Sequence, residues 1–185
     1  MPIYATDADL RSRVAALDPR VRSEVVERAA RQSAEGSTFL SHSSTDTELL
    51  PAVIAILEQH GAVVYVDKKD QTLPPYTSPA TAVALRQKIV QARTFVLFAT
   101  TRSKDSRWVP WELGIADGAK SGAHVAIFPS VDNATNTQWT EREYLGVYDR
   151  IVWGRLKGYS EPLWMVWNFQ KDSAWSLKDW LQSSA

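Results

Sequence analysis

An α/β fold, with a parallel sheet covered by helices on both faces, is what this 185-residue chain predicts. Three observations carry that expectation. Short, near-continuous apolar runs recur at FLSH, GAVVYVD (61–67), RTFVLFATT (93–101) and HVAIFPS (124–130), as strands buried on both faces do. Segments with helical apolar spacing alternate with them, which is the order that builds a parallel sheet. The turns after the first three runs hold polar residues, and open parallel sheets bind ligands beyond the carboxyl ends of their strands.

Taken in order, residues 1–36 predict a helical extension of two short helices packed on the main domain, with a mobile arm as the alternative. Asp18-Pro19 starts the second, with Asp as N-cap and proline at the first helical position, and Gly36 fits as its stop. Residues 37–185 form the main domain, with a core over 37–130 and a tryptophan-rich C-terminal part over 131–185. After the FLSH strand, Glu48–Gln59 spaces Leu49, Val53, Ile56 and Leu57 as a helix, with Pro51 in its first turn. The polar stretch KKDQTLPPYTS then leads to Ser78-Pro79, another cap-plus-proline start, and Leu85, Ile89 and Ala92 mark that helix's buried stripe. Pro110 lacks an N–H and belongs in the first turn of the helix near Trp108. Beyond Ser130, VDNATNTQ reads as a loop and Glu141–Leu145 as a helical turn. RIVWG (150–154) and LWMVWNF (163–169) read as strands, and SLKDWLQ as a closing helix.

Composition narrows the function classes. The apolar fraction of 44% supports a packed core, and a formal net charge of zero argues against a nucleic-acid or acidic-membrane partner. There is no cysteine, which excludes disulfides and thiol nucleophiles and fits a cytoplasmic protein. No apolar stretch reads as a signal peptide or a bilayer span. Neither GxGxxG nor a Walker A segment is present, so a nucleotide would be held another way. His42, His60 and His124 are scattered, so no metal site is expected. The lack of a GxSxG elbow argues against a serine hydrolase.

Glu112 is the sharpest candidate for chemistry. It lies four residues after Trp108, so both point to one side of a helix. A flat aromatic wall beside a carboxylate suits a substrate with a ring and ribose hydroxyls. Breaking an N-glycosidic bond builds positive charge on the ribose, which a carboxylate stabilises. The bland alternative is a helix-start acid that complements the dipole. Trp108 and Trp111 lie about 300° apart on the wheel, so both can border one cleft; Trp108 is preferred as wall and Trp111 as packing. Ser41, Ser43 and Ser44 either hold polar groups of a ligand or cap a turn, with Asp46 as helix N-cap. Asp67 is either a turn acid or a phosphate-accepting aspartate, though SHSS lacks the acidic pair that the second role needs.

FLSHSSTD, VVYVD and LRQKIVQARTFVLFATTRSKDSRWVPWELGIADG, in that order, resemble a Toll/interleukin-1 receptor (TIR) domain over about residues 37–130. The ending, with EYLGVYDRIVW and SLKDWLQ, is similar to small stand-alone bacterial TIR proteins, including those of Thoeris antiphage defence. The resemblance implies a flavodoxin-like sheet and, in catalytic members, cleavage of NAD at the nicotinamide–ribose bond. NAD is then a substrate, and neither cofactor nor metal is required. The family's Trp-x-x-x-Glu arrangement falls on Trp108 and the catalytic Glu112. Its site-lining loop after the first strand points to His42, Ser43 and Ser44, and these, with Ser41 and Asp67 at the neighbouring strand ends, are the expected substrate-binding residues. The 67–78 loop is implied to gate the site and to join neighbouring copies, although here it has no glycine and carries Pro74-Pro75-Tyr76. The expected function is production of a cyclic ADP-ribose-type signal in antiphage immunity, read by a separate effector protein. The alternatives are a non-enzymatic TIR adaptor, a hydrolase that only depletes NAD, and a nucleoside-processing enzyme of similar topology.

Overall fold

Eight strands form one sheet in the computed structural model, which describes residues 3–67, 79–106, 108–120, 122–133 and 144–183. In chain order the strands are β1 (Ala5–Thr6), β2 (Thr38–Ser41), β3 (Val64–Tyr65), β4 (Thr94–Ala99), β5 (Val125–Val131), β6 (Asp149–Gly154), β7 (Leu163–Asn168) and β8 (Ser173–Ser176). The helices are α1 (Asp7–Ala16), α2 (Pro19–Arg31), α3 (Leu50–Gln59), α4 (Pro79–Gln91), α5 (Trp108–Lys120) and α6 (Leu177–Gln182). Residues 68–78 of the expected gating loop, the Ser78 cap and residues 141–143 of the expected helical turn lie outside the described residues.

The sheet order is β3-β2-β4-β5-β6-β7-β8. The first five are parallel neighbours, joined through α3, α4 and α5 between β2 and β5, and β7 and β8 add antiparallel pairs at the far edge. The 2-1-3-4-5 order of the parallel strands is the flavodoxin-like one. Every residue of β4 and β5 is buried, as the unbroken apolar runs required. Alternate residues serve opposite faces. Leu40, Val96, Phe98, Ala126 and Phe128 pack with α1, α2, α3 and α6. Phe39, Phe95, Leu97, Ala99, Val125 and Ile127 pack with α4 and α5.

The N-terminal helices join this core. A reciprocal capping box between Thr6 and Asp9 starts α1, and Asp18 caps α2 ahead of Pro19. Leu10, Val25 and Ala29 are buried beside α3. β1 pairs with the end of β5, Ala5 against Ser130 and Thr6 against Val131. The second helix ends at Arg31, earlier than the expected stop; Gly36, at φ 69°, instead turns the chain into β2. β3 keeps only two residues of the 61–67 run, because Val66 N–H leaves the ladder and donates to the Ala29 carbonyl of α2. At the other end, the Trp164 ring of β7 packs on one face of the sheet, 5.3 Å from Phe128 of β5 and 5.6 Å from Trp153 of β6.

Candidate active site

Helix α5 buries Val109, Glu112, Leu113, Ala116 and Lys120, the i, i+3, i+4, i+7 spacing of a core-facing stripe. Glu112 is therefore a carboxylate in a position that the helix would ordinarily fill with an apolar side chain. It is 5% exposed. Taking a carboxylate out of water is costly unless partners hold it, and Ser41 Oγ donates to Glu112 Oε2 at 2.5 Å. Ser41 ends β2, and Glu112 sits in the second turn of the helix that follows β4. β3 flanks β2 on one side and β4 on the other, so the pair stands where the strand order reverses, at the carboxyl edge.

The loop after β2 divides its expected roles. His42 is buried, and burial pulls its imidazole down to about 4, against a backbone hydrogen bond at Leu40 and the Asp67 carboxylate. Its Nε2 is buried and has no hydrogen-bond partner among the described residues. Ser43 caps the 3-10 turn Ser44–Asp46, accepting from Thr45 N–H at 3.5 Å. Ser44 is exposed. Asp67 pairs with Lys88 at 3.6 Å, and the Lys88 ammonium also lies 5.2 Å from the Tyr65 ring centroid.

Asp46 is not the N-cap of α3. That position belongs to Leu49, which offers no side-chain cap bond. Asp46 is fully buried, accepts from Thr100 Oγ1 at 2.7 Å, and lies 3.4 Å from Arg102 Nε. Burial pushes its carboxyl upward, opposed by the Thr100 hydrogen bond and Arg102. Sequence reasoning missed this network, because TTRSKD after β4 looks like an ordinary polar turn and an Asp before a helix looks like a cap.

Trp111 departs from the packing role expected of it. Val109, Leu113 and Ala116 take the buried side of α5, which leaves Trp111 on the outer side, 37% exposed. Trp108 is the ring that packs against the core, edge-on to Trp111 at 5.3 Å. Trp111, Gly114, Ile115 and Gly118 line an open groove with Arg86 and Val90 of α4, away from the buried stripe.

This arrangement can do one kind of chemistry well. A carboxylate fixed by a hydroxyl at a ligand-binding sheet edge can receive ribose hydroxyls and stabilise positive charge developing beside it. Among the described residues no cluster of histidine and carboxylate side chains could hold a metal ion.

Comparison with known proteins gives the family. The family model described as TIR domain matches residues 38–162. A protein of Bacillus cereus (strain MSX-D12), named "Probable 3' cyclic ADP-D-ribose synthase ThsB'", is 31% identical over 149 residues, which is 79% of this chain and 75% of that protein.

Proposed function

The chain belongs to the TIR domain family, and from that premise we propose that it splits NAD between nicotinamide and ribose and closes the remaining ADP-ribosyl unit into a ring. The observation that carries this is Glu112, a carboxylate placed on the buried stripe of α5 and held by Ser41 at the point where the strand order reverses. The name of the Bacillus cereus relative supports the cyclic product.

In this mechanism the C1′–N bond breaks and its electron pair leaves with nicotinamide, which departs neutral. Positive charge develops on the ribose, and Glu112 stabilises it while holding the ribose hydroxyls. A hydroxyl or ring nitrogen of the same molecule then bonds to C1′, and a hydroxyl that attacks gives up its proton. Holding both ends of the substrate in one water-poor site favours this internal capture over capture by water. Trp108 stands one helical turn before Glu112 as the wall for the nicotinamide ring, and Ser41, His42, Ser43, Ser44 and Asp67 supply the polar contacts. His42 would bind as a neutral imidazole, since burial keeps it unprotonated at neutral pH.

Two further parts belong to the proposal. Copies of the chain associate through the 67–78 loop, so specific activity rises with protein concentration. The cyclic product is a diffusible signal in antiphage defence, read by a separate effector protein. The protein works in the cytoplasm; no described helix is long and apolar enough to cross a membrane.

Mass spectrometry of the products formed from NAD tests the reading, with and without extract from infected cells to supply a trigger. Nicotinamide together with an ADP-ribose species lighter than linear ADP-ribose by one water is expected, and the 3′ isomer is the first to compare. Linear ADP-ribose alone would leave a plain NAD hydrolase. Intact NAD under every condition would leave the adaptor reading.

A further inference from the structure

Three carboxylates from two separate segments converge on Arg102, in the turn between β4 and α5. Its Nη1 lies 2.9 Å from Glu48, its Nε 3.4 Å from Asp46 and its Nη2 3.9 Å from Asp7, the first residue of α1. Arg11 adds a second cation, 3.2 Å from Glu48 and 3.9 Å from Asp7. Two of the carboxylates are deeply buried, Asp46 at 0% and Asp7 at 5% exposure. Each is also tied to a strand end. Thr100 Oγ1 donates to Asp46 at 2.7 Å, and Ser130 Oγ donates to Asp7 at 2.5 Å. The turn around Arg102 is itself closed by Thr100 and Ser103, which exchange bonds at 2.9 to 3.1 Å.

Position gives the cluster its consequence. Asp46 lies five residues after Ser41, and Arg102 lies ten before Glu112. The pair Asp46–Arg102 thus spans the two segments whose separation fixes the Ser41–Glu112 hydrogen bond. Asp7 brings in a third segment, the N-terminal extension, anchored to the end of β5 by Ser130 and by the β1 pairing. Surface ion pairs contribute little. Buried ones rarely add net stability, yet breaking one leaves an uncompensated charge and lets its segments move apart.

We propose that Arg102 and Asp7 are positioning residues, a clasp through which the N-terminal extension holds the β2 loop and the start of α5 in catalytic register. The clasp rests on the NAD-cleaving role proposed above. It acts on turnover through Glu112 and touches no substrate.

Asp7→Asn, Arg102→Met and their combination test it in the full chain, with Arg102→Lys as the conservative variant. Arg28→Met, which breaks the α2–α3 pair with Glu58, is the control. Two readouts are needed. Hydrogen–deuterium exchange should quicken in the peptides holding Ser41–Asp46 and Trp108–Glu112 for Asp7→Asn and Arg102→Met. For the same variants kcat for nicotinamide release should fall about tenfold to a hundredfold, with KM changed no more than about twofold, since slight misplacement of a reacting group acts on the chemical step. The double variant should lose no more than the worse single one, Arg102→Lys should recover part of kcat, and Arg28→Met should match wild type. Unchanged exchange in both peptides overturns the clasp, as does faster exchange at wild-type kcat or fully additive losses in the double variant. If the wild-type chain does not cleave NAD, the proposed function fails on its own, and the exchange measurement still decides whether the clasp exists. Should Arg102→Met fail to fold, Arg102→Lys and Asp7→Asn carry the same comparison.

Discussion

Glu112 was legible in the sequence because its spacing from Trp108 and its place behind Pro110 set it on a helix facing the sheet edge. What could not be read there is the partner. Ser41 lies 71 residues away in sequence, and only the β2–β4 pairing brings its hydroxyl to the carboxylate. Ser41→Ala leaves a buried acceptor short of its donor and should lower stability by about 1–3 kcal/mol in chemical denaturation; no change would show that the bond is not made. His42 makes a prediction of its own. Its folded pKa, about 4, lies below the ordinary histidine value of 6.5, because burial disfavours the charged ring. The unfolded chain therefore binds the proton first, and stability falls as pH drops through that window, by on the order of 3 kcal/mol. The raised Asp46 carboxyl works in the opposite direction, so the comparison of wild type with His42→Asn isolates the histidine. The wild-type curve should be the steeper of the two over that window, and equal slopes would contradict the burial of a neutral imidazole. Asp46 was misread for a physical reason: an Asp shortly before a helix serves equally as a cap or as a buried ion-pair partner, and the arginine that decides between them is 56 residues away.

Elements were legible where one pattern persists over several residues. The unbroken apolar runs of β4 and β5, and the proline starts of α2 and α3, are such patterns. β1 is two residues long and β8 four, with half of the latter exposed, so neither leaves a signal against the polar background. β7 could be read as a strand, but its antiparallel direction follows from the turn that returns the chain beside β6. The N-terminal helices illustrate the limit of composition. α1 has almost no amphipathic pattern, yet its Leu10 is fully buried against the α3 side of the core. Leu10→Ala should destabilise the whole protein by about 2–5 kcal/mol, the range for large-to-small changes in a core. A loss below about 1 kcal/mol in equilibrium denaturation would mean that α1 is peripheral.

At the scale of the molecule, one sheet carries two cores, and residues from both ends of the chain enter the same one. Leu10 of α1 and Leu177, Trp180 and Leu181 of α6 share a cluster with β2, β4 and β5. Tryptophan fluorescence, to which the buried Trp164 and Trp180 of that face contribute, should therefore change with far-ultraviolet circular dichroism in one coincident unfolding transition. An earlier, separate loss of helical signal would show that the N-terminal extension unfolds alone. The same continuity brings Ser41, Glu112 and the Arg102 clasp to one edge, where the catalytic claim can be tested most directly. Glu112→Gln nearly preserves shape and removes the anion, so the folded variant should release no nicotinamide from NAD under conditions in which wild type does. A folded Glu112→Gln protein that turned over NAD at the wild-type rate would contradict the account.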